Sequence, residues 1–401
     1  MRILIYTHPF PPIVGGAERY ILLLAEGLST LIGQGPIEVI VATATPADGF
    51  DDSKLGFRVV RQPSLLKLTK LVHQADIVQL AGPCFLPLFI AWLIKKPVII
   101  EHHGYPPVCP NGLLFYEPTK TVCPGHFLAR HYAECLRCNG ANSSRFDSLR
   151  KLLLTFPRRW LCQHADANIP ITRHVHQRLA LPRSRVIYYG IPEETAGTES
   201  QLHAIRSSTE DDVCFAYIGR LVSLKGLSLI LQAVKNLQAA GYHFHVKFVG
   251  DGPDRGKLES EVERLGLEEY VEFTGFLTGN LFRVAVEKIS AVLMPSIWEE
   301  TAGLAAIEQM MRGKLVIASD IGGLGEVVGD CGLRFPAGNL EALTQCMRTV
   351  LDNPGIIQLK GEAARRRAQN RFSQHRMVRE HLELYSQLLK SGDIGSADIG
   401  I

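Results

Sequence analysis

Along the 401-residue chain, short runs that are apolar at every position alternate with longer stretches in which apolar residues recur at helical spacing. In the first half RILIY, EVIVA, FRVV, DIVQL, PVII, DANI and RVIYY predict strands, and AERYILLLAEGLST from Ala17 predicts a helix. In the second half VCFAYIG, HVKFVG, VEFTG, AVLMP, LVIAS and GLRF predict strands. Helices are expected there over LSLILQAVKNLQAAG, near LESEVERLG and over AAIEQMMRG. Strands apolar on both faces belong inside a parallel sheet covered by helices on each side. The pattern therefore predicts an α/β protein of two doubly wound parallel-sheet domains facing each other across a cleft.

The boundary falls at residues 193–212, EETAGTESQLHAIRSSTEDD, a polar stretch without periodicity that reads as a linker. This gives a first domain over 1–192, a second over 213–372, and a segment 373–401. That segment holds a helix expected to pack back on the first domain, followed by a tail. Ligands of such sheets bind beyond the carboxyl ends of the strands, so the loops there are where chemistry is sought.

Composition narrows the class. A hydrophobic fraction of 46% with 21% charged residues describes well-filled globular cores. The nearest candidate for a span, LAGPCFLPLFIAWLI, is uncharged but broken by two prolines and a glycine and is too short to cross a bilayer. It reads as a strand end and a buried helix, with an interfacial contact as the alternative. Met1 and Arg2 run directly into a strand, which predicts a cytoplasmic protein. Up to Pro192 there are 21 Lys and Arg against 12 Asp and Glu; the remainder holds 22 against 28. The basic half would suit an anionic partner, such as the inner face of a membrane, or is an ordinary solvated surface. No basic block is interleaved with aromatics, so nucleic acid is not expected.

Six loops carry candidate chemistry. THPFPPIVGGAERY places Gly15 and Gly16 before a helix, where backbone amides can meet an anion or simply turn the chain. YIGRLVSLKG sets Arg220 and Lys225 five apart after a strand, a pair suited to a diphosphate. VGDGP and EFTGF bring glycines to the same edge, and a base could lie near Phe276 and Leu277. In PSIWEETAGLAAIEQM a helix is expected from Thr301–Gly303 to Met311, with Glu300 before it and Glu308 two turns in. At about 100° per residue the two acids share a quadrant. The amides of Gly303 and Leu304 would lack helical partners and could take a phosphate or sugar oxygen. Glu308, set among AGLAAI and MM, is expected to face a buried zone and to need a donor there. VIIEHHGYPP presents His103, with His102 beside it, at a strand end.

Taken in order, GGAE, GRLVSLKG, VGDGP, EFTGF, PSIWEETAGLAAIE and SDIGGLGEVV resemble the family-4 retaining glycosyltransferases of GT-B fold, over nearly the whole chain. The resemblance implies two Rossmann-like domains. It also implies that Arg220 and Lys225 hold the donor diphosphate, that Glu308 takes ribose hydroxyls, and that Glu300, Gly303 and Leu304 contact the transferred sugar. His103 matches a loop that approaches the reacting centre, and Glu326 a position of supporting role. The sequence departs from the family at Thr301 and Ala302, where a glycine or proline followed by phenylalanine is usual, and at Tyr189, where an asparagine is usual. Expected partners are a UDP- or GDP-sugar and a glycan or lipid-linked acceptor, in surface polysaccharide synthesis. A sugar-nucleotide epimerase and a silent nucleotide-sugar-binding subunit are the alternatives.

Nine cysteines are present, and Cys109, Cys123, Cys135 and Cys138 cluster in an insertion near 105–140. In a reducing compartment four thiolates suit a structural zinc; an iron–sulfur cluster or unligated thiols are the alternatives. No Asp-x-Asp stands at a strand end, so no catalytic metal is expected.

Overall fold

The computed structural model describes residues 1–13, 15–30, 37–140, 144–193 and 213–394. The expected linker, apart from Glu193, and the tail after residue 394 lie outside the described residues. Contacts divide the chain into two units, one of Met1–Pro192 with Phe372–Ile401 and one of Glu193–Arg371.

The first unit runs β1 (Arg2–Thr7), α1 (Gly16–Thr30), β2 (Glu38–Thr43), β3 (Arg58–Arg61), α2 (Leu65–Gln74), β4 (Ile77–Leu80), α3 (Phe85–Leu93) and β5 (Val98–His102). An insertion follows: a hairpin of β6 (Phe115–Tyr116) and β7 (Thr121–Val122), then α4 (Tyr132–Gly140). The chain continues through α5 (Arg145–His164), β8 (Ala167–Pro170) and α6 (Arg173–Leu179). Its sheet has the order β3-β2-β1-β4-β5-β8, with every pair parallel. The inner strands are buried at every position because they are apolar on both faces. Ser64, Ser144 and Thr172 cap the first turns of α2, α5 and α6 by accepting from backbone amides.

The second unit repeats the arrangement. Its elements are β9 (Cys214–Ile218), α7 (Leu227–Ala239), β10 (His245–Val249), α8 (Arg255–Leu265), β11 (Val271–Gly275), α9 (Gly279–Glu287) and β12 (Ala291–Met294). Then come α10 (Leu304–Met311), β13 (Leu315–Ser319), α11 (Gly322–Val328), β14 (Leu333–Phe335), α12 (Leu340–Asp352) and α13 (Gly355–Arg371). The order β11-β10-β9-β12-β13-β14 reverses direction between β9 and β12, which makes the carboxyl ends of those strands the switch point. Phe215, Tyr217, Phe244 and Phe248 anchor the core on one side of this sheet.

The last helix, α14 (Gln374–Ile394), packs within the first unit. Gln374 Nε2 donates to Leu23 O at 2.7 Å, and Arg376 Nη2 to Tyr188 O at 2.9 Å. A Cβ on Gly27 would stand 2.6 Å from Val378, so this face of α1 admits only glycine.

Two sequence expectations need correction. RVIYY forms no strand: Asn168 bridges Ser184, and Arg185 N and Ile187 N donate to Asn168 O and Pro170 O. Pro170 has no N–H to return, so the ladder stops. LAGPCFLPLFIAWLI does hold the end of β4 and a helix, but α3 is buried on one side only; Leu86, Phe89, Trp92 and Leu93 are exposed. Among the described residues no helix is long and apolar enough to cross a membrane.

Candidate active site

The loops after β9 and β12 meet at the switch point of the second unit. Ile297 N donates to Leu224 O at 3.0 Å, stitching one loop to the other. Gly226 lets them approach: its φ is +67°, and a Cβ there would stand 2.1 Å from Pro295 O. Lys225 is thereby carried to Glu300, with Nζ 2.9 Å from Oε1. Ser296 Oγ also donates to that oxygen. Lys225 Nζ further lies 5.8 Å from the centre of the Trp298 ring. Glu300 is 4% exposed, so Lys225 and Ser296 supply the charge and hydrogen bond that a buried carboxylate requires. Arg220 is exposed, and its carbonyl accepts a 2.8 Å hydrogen bond from Tyr217, which fixes the backbone that carries the guanidinium.

The helix α10 begins at Leu304, later than the earliest expected start, because Gly303 takes a left-handed conformation at φ +80°. No side chain caps its first turn. This start also changes which acid is buried. Glu300, before the helix, is enclosed, whereas Glu308 is half-buried and the fully buried polar position is Gln309. The expectation that Glu308 faces the interior is thus corrected. Its charge acts on the guanidinium of Arg312, one turn further along. Ala302 is buried at 1% exposure and Thr301 is half-buried. Phe276 is 60% exposed and Leu277 half-buried beyond β11, the strand at the far edge of the same sheet. Gly323 N donates to Glu300 O at 2.6 Å, so the start of α11 buttresses the loop, while the Glu326 carbonyl accepts from Arg367 at 2.8 Å.

Gly15, Gly16 and His103 belong to the first unit, as do the four clustered cysteines, and Arg220, Lys225, Phe276, Leu277, Glu300, Gly303, Leu304 and Glu308 to the second. Gly15 and Gly16 lead into α1, where Arg19 N donates to Gly15 O at 3.1 Å. One turn on, Tyr20 packs edge-on to His103 with ring centres 4.9 Å apart. His103 Nδ1 is 3.1 Å from the Tyr189 hydroxyl, and the two rings stack. His102 points elsewhere, with Nε2 2.8 Å from Asn168 Oδ1. Burial pushes its imidazole down to about 4, with the Asn168 bond opposing and His103 adding to the fall.

Beneath His103 lies a group that the sequence reading did not single out. Glu101 is fully buried; it accepts from Tyr20 at 2.5 Å and lies 2.9 Å from His381 Nε2 and 3.6 Å from His103 Nε2. Burial alone would raise its carboxyl, yet the hydrogen bonds and charges of His103 and His381 outweigh it and hold the group at about 2. Tyr189, Ser296 and Trp298 were likewise given no role. For Glu101 a signal did exist, since an acid inside the apolar strand VIIEH is costly unless paired.

The four clustered cysteines are all buried free thiols within the insertion. Among the described residues no three His, Cys, Asp or Glu side chains stand as a ready metal-holding group.

Comparison with known proteins assigns the fold and the second unit. Residues 199–371 match the family model for glycosyl transferases group 1. A 2-deoxystreptamine glucosyltransferase of Streptomyces kanamyceticus is 29% identical over 61% of this chain and 67% of its own length. A 2-deoxystreptamine N-acetyl-D-glucosaminyltransferase of Streptomyces fradiae is 26% identical over 83% of this chain and 81% of its own. Among solved structures, Anabaena HepE in complex with UDP superposes with a TM-score of 0.73 at 18% identity, over 96% of this chain and 100% of its own. The parallel sheets, the switch-point loops and these matches together give the chain a GT-B fold whose second unit matches the group 1 glycosyl transferases.

Proposed function

We propose that the chain transfers a sugar from a nucleoside diphosphate donor to a glycan or lipid-linked acceptor, with retention of anomeric configuration. The observation that carries this reading is the Lys225–Glu300 pair at the switch point, joined at 2.9 Å between the two loops that match the family motifs. Lys225 and Arg220 take the charge that develops on the leaving diphosphate, the task for which a fixed cation is most effective. The first-turn amides of α10 add to it, and Glu300 fixes Lys225 and faces the sugar. Glu308 accepts from ribose hydroxyls, and Phe276 and Leu277 lie toward the base. In the transfer, the bond from the anomeric carbon to the phosphate oxygen breaks as the acceptor oxygen attacks the same face. The acceptor's proton passes to the departing phosphate, and no protein nucleophile or metal takes part.

HepE of Anabaena has been solved with UDP-glucose as well as UDP, which supports a UDP-sugar donor. The relatives are transferases by name, which favours neither the epimerase nor the silent subunit. A lipid-borne acceptor at an anionic membrane draws support from the first unit. Leu86, Phe89 and Trp92 of α3 and Phe146 and Leu153 of α5 are exposed, with Lys95, Arg145 and Arg150 also at the surface. Arg158 of α5 lies over Phe85 of α3, so the two helices adjoin.

The deciding experiment incubates the protein with UDP-, GDP- and ADP-sugars, follows thermal stabilisation, and then assays transfer to lipid-linked and free glycans. An NMR coupling constant at the new linkage reports the anomer. Stabilisation by no nucleotide sugar, or a product of inverted configuration, would overturn the reading.

A further inference from the structure

The insertion of the first unit has little hydrophobic material to hold it. One small cluster there is Phe127, Cys135 and Leu152, with Tyr132 and Leu136 against it. Two-residue strands and one short helix do not order a segment of this length by themselves, because each fixed residue costs conformational entropy. The four thiols offer another source of order. Cys109 precedes the hairpin, Cys123 follows it, and Cys135 and Cys138 lie on α4, yet all four are buried together. Cys109 interacts electrostatically with Cys123 and Cys135, Cys123 with Cys135 and Cys138, and Cys135 with Cys138. The remaining pair is bridged by Asn111: Cys109 Sγ donates to Oδ1 at 2.9 Å, and Nδ2 donates to Cys138 Sγ at 3.4 Å.

The surroundings of the sulfurs separate a ligand set from an ordinary apolar core. Backbone amides of Asn111, Gly112 and Leu114 hydrogen-bond Cys109 Sγ, and the amide of Glu117 hydrogen-bonds Cys138 Sγ. A neutral thiol is a weak acceptor and gains little from three donors. A metal-bound thiolate gains a great deal, since such bonds spread its charge.

We infer that Cys109, Cys123, Cys135 and Cys138 bind one zinc ion in tetrahedral thiolate coordination, a structural site that pins the insertion. Soft sulfur ligands select zinc over magnesium or calcium. Binding releases four thiol protons and leaves a site of net charge −2, which the surrounding amides offset. The Asn111 side chain, lying between two of the sulfurs, withdraws as the ion enters. The consequence reaches the candidate active site. Tyr105 N donates to Gly112 O at 3.1 Å, two residues beyond His103, and Arg178 Nη2 donates to Cys123 O at 2.5 Å, tying the insertion to α6. The zinc holds the chain that leaves His103.

The test is metal analysis of the full chain, purified without chelator. One zinc per chain is expected, exchangeable for cobalt with the thiolate charge-transfer and tetrahedral ligand-field bands of a four-sulfur site. A Cys135→Ser/Cys138→Ser double variant should lose the bound metal. Should that variant fail to fold, X-ray absorption of the wild-type zinc decides: a first shell of four sulfurs supports the site, and nitrogen or oxygen ligands overturn it. Iron with acid-labile sulfide, or metal-free protein whose four thiols all react in the native state, would also overturn it.

Discussion

Glu101 in the first unit and Glu300 in the second are both buried carboxylates at the carboxyl ends of sheets with the same strand order, but their partners differ in kind. Glu101 is enclosed by rings: Tyr20 from α1, His103 from its own strand end, and His381 from α14. His381 Nδ1 lies 2.8 Å from Met377 O, so the imidazole spans two acceptors and ties the last helix to the sheet. Glu300 has two partners from its own switch-point loops, and one of them, Lys225, keeps 21% of its side chain exposed. A carboxylate locked among packed rings holds a fold together. A carboxylate that anchors a partly exposed cation holds that cation ready for an anion.

This contrast predicts a separation of effects, the largest falling on stability. Glu101→Ala leaves Tyr20 and His381 buried without their shared acceptor and should cost about 3–5 kcal/mol in urea unfolding. Acid should act on the same region in two windows. Glu101, held at about 2 against an ordinary 4.5, binds fewer protons folded than unfolded, so its stabilisation is lost as pH falls from about 4.5 to about 2. His102, held at about 4 against 6.5, refuses a proton that the unfolded chain accepts, so stability also falls from about 6.5 to about 4. In a His102→Gln variant the upper window should flatten while the lower one persists. A urea midpoint that does not move with pH across both windows would remove the first half of the comparison.

Lys225→Ala is the counterpart in the second unit. With the diphosphate cation gone, kcat should drop roughly 10²–10³-fold, as for other groups that act on developing charge, while the unfolding midpoint stays near wild type. An activity loss matched by a comparable loss of stability would mean that Lys225, like His381, is chiefly a structural partner. Glu308 should fall between these extremes. It is half-buried, and its proposed role is two hydroxyl contacts, so Glu308→Ala should raise the donor KM about tenfold, near the 1.5 kcal/mol of one charged hydrogen bond. A kcat loss as deep as that of Lys225→Ala would place Glu308 at the reacting bond instead.

The same comparison marks how far the sequence could be read. Both sheets were legible because interior parallel strands are unbroken apolar runs, and the switch-point loops because their glycines and cations follow such runs directly. RVIYY misled because its failure to pair depends on Pro170 in a neighbouring strand. The helix α5 carries Pro157 and places apolar residues such as Phe146, Leu149, Leu153 and Trp160 on its exposed side, which hid its period. The burial of Glu308 was misjudged because a left-handed Gly303 delays the helix and gives the inward position to Gln309. The Glu101–His381 contact joins residues 280 apart, a link that no local pattern encodes. The Lys225–Glu300 contact joins residues only 75 apart, and each partner sits in a motif of its own and was found.

Trp298 gives the smallest and most discriminating effect. Its ring lies 5.8 Å from Lys225 Nζ, a cation–π contact worth about 0.5–1 kcal/mol at a partly exposed site. Trp298→Leu keeps an apolar side chain and leaves Glu300 and Ser296 in place, so donor affinity should weaken only about two- to fivefold. Isothermal titration with UDP and the matching nucleotide sugar measures it. The proposed mechanism has Glu300 fixing Lys225 and gives Trp298 no part beyond its contact with that cation. Glu300→Gln should then lose far more activity than Trp298→Leu, and the two losses should multiply in the double variant. If Trp298→Leu is as damaging as Glu300→Gln, the ring rather than the carboxylate positions the cation, and Glu300 becomes a buried structural acid of the same kind as Glu101.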